Sequence, residues 1–317
     1  MENLVIMQNR NVLMTGATGF IGSNLLKRLL KENCQVHILT RKNSILERIK
    51  DIKESYNNHV IDLTDFESVK VLISKIKPDV IFHLAAYGTD YRQQNIQQAI
   101  DINIKASVNL FEAFIKNKGA RFIHTGSCFE YGAKNTPISE SDSLEPIGIY
   151  NITKASSVQL LVSMAKQIET GNLIVLRLFG AFGDSEGQHR FFPQMIDKLS
   201  KNQEIKMTGG EQKRDCIYVE DIIDAYVLAS NVSLEKKAEI INIGSGKGIL
   251  LKDIALIIAK QIGADKNLLQ FGALPYRSNE MMYMEANIKK AETLLGWKPK
   301  TSLEEGIKKM LNYHGKK

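Results

Sequence analysis

The sequence predicts an α/β protein, a doubly wound parallel sheet followed by a smaller mixed α/β lobe at the C-terminal end. Three observations predict it. Short β-branched apolar runs alternate with amphipathic helical stretches from residue 11 to about 180, the pattern of successive βαβ units. A Gly-x-x-Gly-x-x-Gly string follows the first apolar run directly. After Phe179 the texture changes to Gly-rich loops and separate helices.

Six strands are expected in the first part: Asn11 to Met14, Gln35 to Arg41, His59 to Leu63, Asp79 to Ala85, Arg121 to Thr125 and Asn172 to Leu178. Between them Ser23 to Lys31, Phe66 to Lys77, Gln93 to Lys118 and Ile149 to Glu169 carry apolar residues at helical spacing. They are long enough to be right-handed crossovers. Beyond the loop Gly180 to Arg190, helices are expected near Phe192 to Lys201 and Val219 to Ser230. Ile240 to Ile243 is apolar and β-branched, and with the helix Leu251 to Ile262 it could carry the chain back to the first lobe. The closing helix is Leu303 to Tyr313.

Composition narrows the function classes. With 317 residues, 44% hydrophobic and 24% charged, the chain is long enough to bury two sizeable cores and is of ordinary globular composition. The longest apolar runs fall far short of a membrane span, and the start, Met1 to Arg10, is too poorly apolar for a secretory signal. A cytoplasmic protein without membrane contact is expected. Cys34, Cys128 and Cys216 are widely spaced, with no Cys-x-x-Cys pair or clustered His, so neither a disulfide framework nor a metal is expected. The net charge of +7 is spread among 35 acids without interleaved aromatics. That census argues against nucleic acid and leaves anionic small molecules as partners.

The string Thr15-Gly16-Ala17-Thr18-Gly19-Phe20-Ile21-Gly22 opens a helix after the first strand. In that context glycines let backbone approach a pyrophosphate, and the helix N-terminus favours its charge. Gly16, Thr18, Gly19, Phe20, Ile21 and Gly22 are therefore cofactor-binding candidates in a Rossmann domain. The second strand ends Leu39-Thr40-Arg41-Lys42, with no acid to accept from a ribose 2′-hydroxyl. The guanidinium of Arg41 can instead hold a 2′-phosphate. NADP(H) is favoured, with NAD(H) the alternative; a solvated loop charge is the bland reading of Arg41.

Tyr150 and Lys154 stand four apart in an expected helix and share one face. A nearby ammonium would lower the tyrosine pKa; bringing it from ~10 to ~7 takes roughly 4 kcal/mol. With this pair and the glycine string, the chain resembles the extended short-chain dehydrogenase/reductases of the nucleotide-sugar epimerase and dehydratase group. The likeness rests also on Asp62-Leu63, His83-Leu84-Ala85-Ala86, Asn103, Ser127 before Tyr131-Gly132, Arg214-Asp215-Cys216-Ile217-Tyr218-Val219 and Leu294-Leu295-Gly296-Trp297-Lys298-Pro299. It implies that Ser127 holds the reacting oxygen, Tyr150 is the acid or base, and Lys154 also holds the nicotinamide ribose. Asp62 and Leu63 would sit near adenine, and Leu84, Ala85, Ala86 and Asn103 would line the cofactor. Arg214 and Arg277 would meet a substrate diphosphate, an ion pair with Asp215 or Glu280 being the other reading. Arg190 is a further candidate substrate contact, and a homodimer through 93–118 and 149–169 is implied.

Departures from the family pattern narrow the activity. Where 4,6-dehydratases carry Asp and Glu after the Ser/Thr, this chain has Cys128 and Phe129, candidate contacts of the sugar. Glu130 is one place later, which in an extended segment is the opposite face. Gly180 replaces an Asn that touches substrate in many relatives. The expected organisation is an NADP-binding domain over 1–179, joined by 240–263, and a nucleotide-sugar-binding lobe over 180–317 with an interleaved boundary. The expected activity is NADPH-dependent reduction of the 4-keto group of a nucleotide-linked 4-keto-6-deoxyhexose. The alternatives are a nucleotide-sugar 4-epimerase with tightly held NAD(P), and a catalytically silent cofactor-binding regulatory protein.

Overall fold

The structure, a computed structural model, describes residues 7–90, 92–168 and 172–314. Its first half runs β1 (Asn11–Thr15), α1 (Phe20–Lys31), β2 (Gln35–Thr40), β3 (Asn57–Val60), α2 (Phe66–Ile76), β4 (Val80–His83), α3 (Ile96–Ala99), α4 (Ala106–Lys116), β5 (Arg121–Ser127), α5 (Ile149–Lys166) and β6 (Leu173–Leu178). The rest runs β7 (Gly180–Phe182), α6 (Phe191–Ser200), β8 (Ile205–Lys206), β9 (Lys213–Tyr218), α7 (Val219–Ala229), β10 (Ala238–Ile243), β11 (Gly248–Leu250), α8 (Leu251–Ile262), β12 (Leu269–Gln270), α9 (Lys289–Leu295) and α10 (Leu303–His314). Glu169, the expected end of the fifth helix, and the first six residues lie outside the described residues.

The main sheet is parallel throughout, with strand order β10-β6-β5-β4-β1-β2-β3. The order reverses between β1 and β4, so a crevice opens where Thr15 and His83, paired in register, end their strands. Alternation along β1 explains the two covered faces. Val12 and Met14 face a core shared with Leu25, Leu29, Ile222 and Tyr226. Leu13 faces the opposite core with Phe111, Phe114, Phe122 and Leu161. Strands apolar on both sides are what a sheet covered by helices on both faces requires.

β7, β9 and β11 form a small second sheet and β8 pairs with β12. Phe182, Phe192, Ile217 and Tyr218 join the same buried cluster as β1 and α1, so the two lobes share one core. Several boundaries differ from the expected ones. β3 ends at Val60, which leaves Asp62 and Leu63 in the turn that follows. The long helix expected over 93–118 is broken by a π-helical stretch, Ile100–Lys105, that contains Asn103. α7 packs on α1, with Arg28 paired to Asp224 at 2.7 Å, and so lies on the main sheet. Within 240–263 the strand joins the sheet beside β6, whereas α8 packs on α6 and α10 in the second lobe. None of the described helices is long and apolar enough to cross a membrane.

Candidate active site

Gly16 follows β1 at φ +70°, and a Cβ there would stand 2.6 Å from the Leu84 carbonyl carbon and 2.7 Å from Ala85 N. Only glycine fits between the ends of β1 and β4. A Cβ on Gly22 would meet Gly16 O at 2.1 Å, so α1 also approaches the turn without room for a side chain. Gly19 caps α1 with no side-chain hydrogen bond, which leaves the first-turn N–H groups available to an anion. Leu84 N donates to Thr15 O at 3.2 Å, and Ala85 N to the Thr15 hydroxyl at 3.2 Å. Arg41, directly after β2, and Asp62, after β3, are both exposed. The Asp62 carboxylate accepts from Thr64 N and Thr64 Oγ1 at 2.9 and 2.8 Å.

Tyr150 is the second residue of α5 and Lys154 lies one turn on, which puts both on the face toward β5. Lys154 is 2% exposed, and its Nζ lies 3.1 Å from His124 Nε2 on β5. An ammonium has three N–H groups; no second protein partner of Nζ is found among the described residues. Together with the glycine turn and the uncapped helix, this donor fits a dinucleotide whose ribose hydroxyls would accept from it. Asn103, buried in its π-helical stretch, accepts from Tyr87 N at 2.8 Å and donates to Tyr87 O and Thr153 Oγ1 at 2.8 and 2.9 Å. Its side chain thereby ties the backbone after β4 to α5.

Burial raises the Tyr150 pKa, opposite to the direction expected from an adjacent ammonium. The hydroxyl of Ser127 and the charge of Arg190 pull the other way without overcoming desolvation. Lys154 is itself drawn down to about 8 by burial, against the attraction of Glu130, and its nitrogen is directed at His124. In this arrangement Tyr150 is a protonated phenol at neutral pH.

Glu130 is the residue whose surroundings the sequence concealed. It lies in a 3₁₀ turn, Cys128–Tyr131, not in an extended segment, so alternation of faces does not apply. Its Oε1 accepts from Ser127 N at 2.7 Å, and its Oε2 from Arg177 Nε at 2.8 Å. Arg177 also stacks on the Tyr131 ring, 4.5 Å from the centroid. The carboxylate is fully committed. One signal was available, a lone arginine in the otherwise apolar strand Leu173-Ile174-Val175-Leu176-Arg177-Leu178, since a buried charge demands a partner.

The expected substrate contacts separate into two groups. Cys128 is turned into a cluster with Tyr131, Ile138, Phe179 and Met284, its Sγ 3.2 Å from the Met284 sulfur. Its thiol therefore does not face the site, because the 3₁₀ turn directs it inward. Phe129 is 40% exposed. Arg190, exposed at the start of α6, donates to Thr89 O at 3.2 Å and so bridges the loop after β4 to the second lobe. Arg214 is paired with Glu280 and donates to Met281 O at 2.6 Å. Of the two arginines expected on a diphosphate, Arg277 is the exposed one.

Residues 12–244 match the NAD dependent epimerase/dehydratase family. The chain is 30% identical over 306 residues to CDP-abequose synthase of Salmonella muenchen, which covers 96% of this chain and 98% of that protein. It is 27% identical over 313 residues to dTDP-4-dehydro-6-deoxyglucose reductase of Escherichia coli, covering 96% and 97%. The crystal structure of UDP-glucose 4-epimerase with UDP-glucose from Thermotoga maritima superposes with a TM-score of 0.86 at 27% identity, covering 96% of this chain and 99% of that one.

Proposed function

Because the chain belongs to the NAD-dependent epimerase/dehydratase family, we propose that it is an NADPH-dependent reductase of the 4-keto group of a nucleotide-linked 4-keto-6-deoxyhexose. The observation that carries the choice within the family is the environment of Ser127, Tyr150 and Lys154. The Tyr150 phenol is protonated at neutral pH and stands beside Ser127, so it can give a proton, as ketone reduction requires. The positions of the dehydratase acids hold Cys128 and Phe129, and the nearby carboxylate of Glu130 is locked to Arg177 and Ser127 N. Among the described residues at these positions no free acid–base pair is left for removing water. Relatives that bear names of 4-keto reduction and abequose synthesis support the same reading.

Bound nicotinamide supplies the hydride; the remaining work belongs to this chain. Ser127 Oγ holds the ketone oxygen while the Tyr150 phenol donates its proton to it. The Lys154 ammonium binds ribose hydroxyls and favours the phenolate that remains. Gly16, Thr18, Gly19, Phe20, Ile21 and Gly22 would cradle the pyrophosphate; Leu84, Ala85 and Ala86 would wall the cofactor, with the buried Asn103 holding the segment after β4 in place behind them; Asp62 and Leu63 would meet the adenine end. Arg41 selects the 2′-phosphate of NADP. Arg190 and Arg277, with Arg214 after release from Glu280, anchor the substrate diphosphate away from the reacting carbon. The chain works as a cytoplasmic homodimer in this reading, joined through the helices that expose Ile96, Ile100, Ile152 and Leu160.

The test is absorbance at ~340 nm, the reduced nicotinamide band, with purified protein, NADPH or NADH and a panel of nucleotide-linked 4-keto-6-deoxyhexoses. Stoichiometric loss of NADPH with one of them establishes the reductase. The second reading, a 4-epimerase, is favoured by the likeness to the Thermotoga enzyme. It predicts protein that purifies with cofactor and interconverts sugars with no net NADPH consumption.

A further inference from the structure

The group that meets Lys154 is a second buried histidine, and its hydrogen bonding determines the proton inventory. His83 comes first, because its tautomer follows from its neighbours. Ala85 N donates to Thr15 Oγ1 at 3.2 Å, so the Thr15 hydroxyl can donate to His83 Nδ1 at 2.6 Å. His83 Nε2–H then donates to Ser107 Oγ at 2.8 Å, and Ser107 donates to Asn103 O at 2.7 Å. His83 is neutral with its proton on Nε2.

His124 packs against it, ring centroids 5.1 Å apart. It is fully buried, its Nε2 lies 3.1 Å from Lys154 Nζ, and its Nδ1 has no hydrogen-bond partner among the described residues. Ser157 Oγ, which donates to Lys154 O at 2.9 Å, lies at the 3.5 Å limit from the same Nε2; the nearer neighbour is the ammonium, which can only donate, so Nε2 accepts from it and the proton sits on Nδ1, where no described residue receives it. Buried unsatisfied N–H groups are costly and call for an explanation. We propose that His124 is a positioning residue: as a neutral Nδ1–H imidazole it accepts from the Lys154 ammonium and fixes where that nitrogen stands relative to Tyr150 and to the ribose of the cofactor. The inference rests on the reading of Lys154 given above.

The charged and titratable groups around the ammonium are few. Tyr150 lies on the same helix, Glu130 on the turn after β5, His124 on β5 and His83 on β4. Glu130 is already paired with Arg177. Burial disfavours the charged amine and the charge of Glu130 favours it; among the described residues the His124 acceptor is the one hydrogen-bonding contact of Nζ that also favours it. Replacing the imidazole by a side chain without an acceptor should lower the pH at which Lys154 loses its proton.

The experiment measures NADPH dissociation constants by fluorescence from pH 6 to pH 10 in the wild-type chain, His124→Phe, His124→Gln and Lys154→Met. Affinity in the wild type is expected to weaken above a midpoint set by Lys154. In His124→Phe that midpoint should fall by about one unit, and in His124→Gln, whose amide oxygen can accept, it should return to near the wild-type position. An unchanged midpoint in His124→Phe overturns the proposal. A wild-type profile in Lys154→Met overturns the reading of Lys154 instead. Should His124→Phe fail to fold, the ¹⁵N imidazole spectrum of the wild-type chain decides: a proton on Nδ1 of His124 supports the assignment, and one on Nε2 overturns it.

Discussion

Arg177 Nε lies 2.8 Å from Glu130 Oε2, and the two side chains are 2% and 0% exposed. Removing one partner of such a pair leaves the other charge buried and alone, which costs about 3–5 kcal/mol. Glu130→Gln and Arg177→Met should each lower unfolding stability by about that much. The double variant should recover most of the loss. Urea denaturation of the four proteins measures this, and singles within error of the wild type would refute the pairing. Because Glu130 also accepts from Ser127 N, the Glu130→Gln variant should lose turnover as well.

Tyr150→Phe removes the proposed proton donor while leaving the helix face intact. Turnover should fall by about 10²–10⁴-fold, with NADPH affinity changed little. Steady-state kinetics beside a fluorescence titration separate the two quantities. Retained turnover would point to a different proton donor, and a loss of affinity equal to the loss of rate would make Tyr150 a binding residue only.

Much of this architecture was legible in the sequence because it is written in local pattern. Alternating apolar runs and the glycine string place the strands and the turn at Gly16, since both follow from backbone geometry within a few residues. The direction of the Tyr150 pKa was not legible. It depends on how deeply α5 is buried and on where the Lys154 nitrogen points, which only tertiary packing sets. Glu130 was misplaced for a similar reason: a four-residue 3₁₀ turn stabilised by the Ser127–Glu130 capping box has no periodic signature. His124 looks like any strand residue until α5 brings Lys154 across it.

Arg41 follows β2 directly and its side chain is exposed, so it can be changed without disturbing the core. Arg41→Asp places a carboxylate where a 2′-phosphate would lie and where a ribose hydroxyl could donate. The ratio of NADPH to NADH affinity should fall by at least about tenfold. Titrating both cofactors against both proteins checks it, and an unchanged ratio would return Arg41 to a solvated loop charge.

Two fully buried imidazoles make the chain acid-sensitive. Burial holds His83 down at about 3 and His124 well below its ordinary value of 6.5. A depressed group contributes stability that is present above its unfolded pKa and lost as pH falls through its folded one. For His83 the window is therefore pH 6.5 down to about 3, and for His124 it opens at the same upper edge; within it each histidine lowers stability by up to about 1.4 kcal/mol per pH unit. Thermal unfolding at successive pH values should show this decline, and His124→Phe, if folded, should flatten it. Lys154 acts in the same sense at the alkaline end, relieving a burial cost between about 8 and 10.5.

Gly180 opens β7, opposite Cys216 of β9, at the position where an Asn was expected from the family pattern. A Cβ there would stand 2.6 Å from Asp215 O, so restoring the Asn without other changes must push β7 from β9. The carboxylate of Asp215 accepts from Ser245 N, Gly246 N and Ala286 N at 2.6, 3.0 and 3.0 Å. Displacing its backbone would loosen the two segments that it ties, 245–246 and 286, and shift Arg214 beside it. Gly180→Asn, and even Gly180→Ala, should therefore cost about 1–3 kcal/mol through overpacking and weaken nucleotide-sugar binding more than NADPH binding. Calorimetric melting and paired ligand titrations test both effects. If Gly180→Asn were neutral in stability and strengthened sugar binding, the strands would have room to part, and the glycine would mark a lost substrate contact rather than a close approach of two strands.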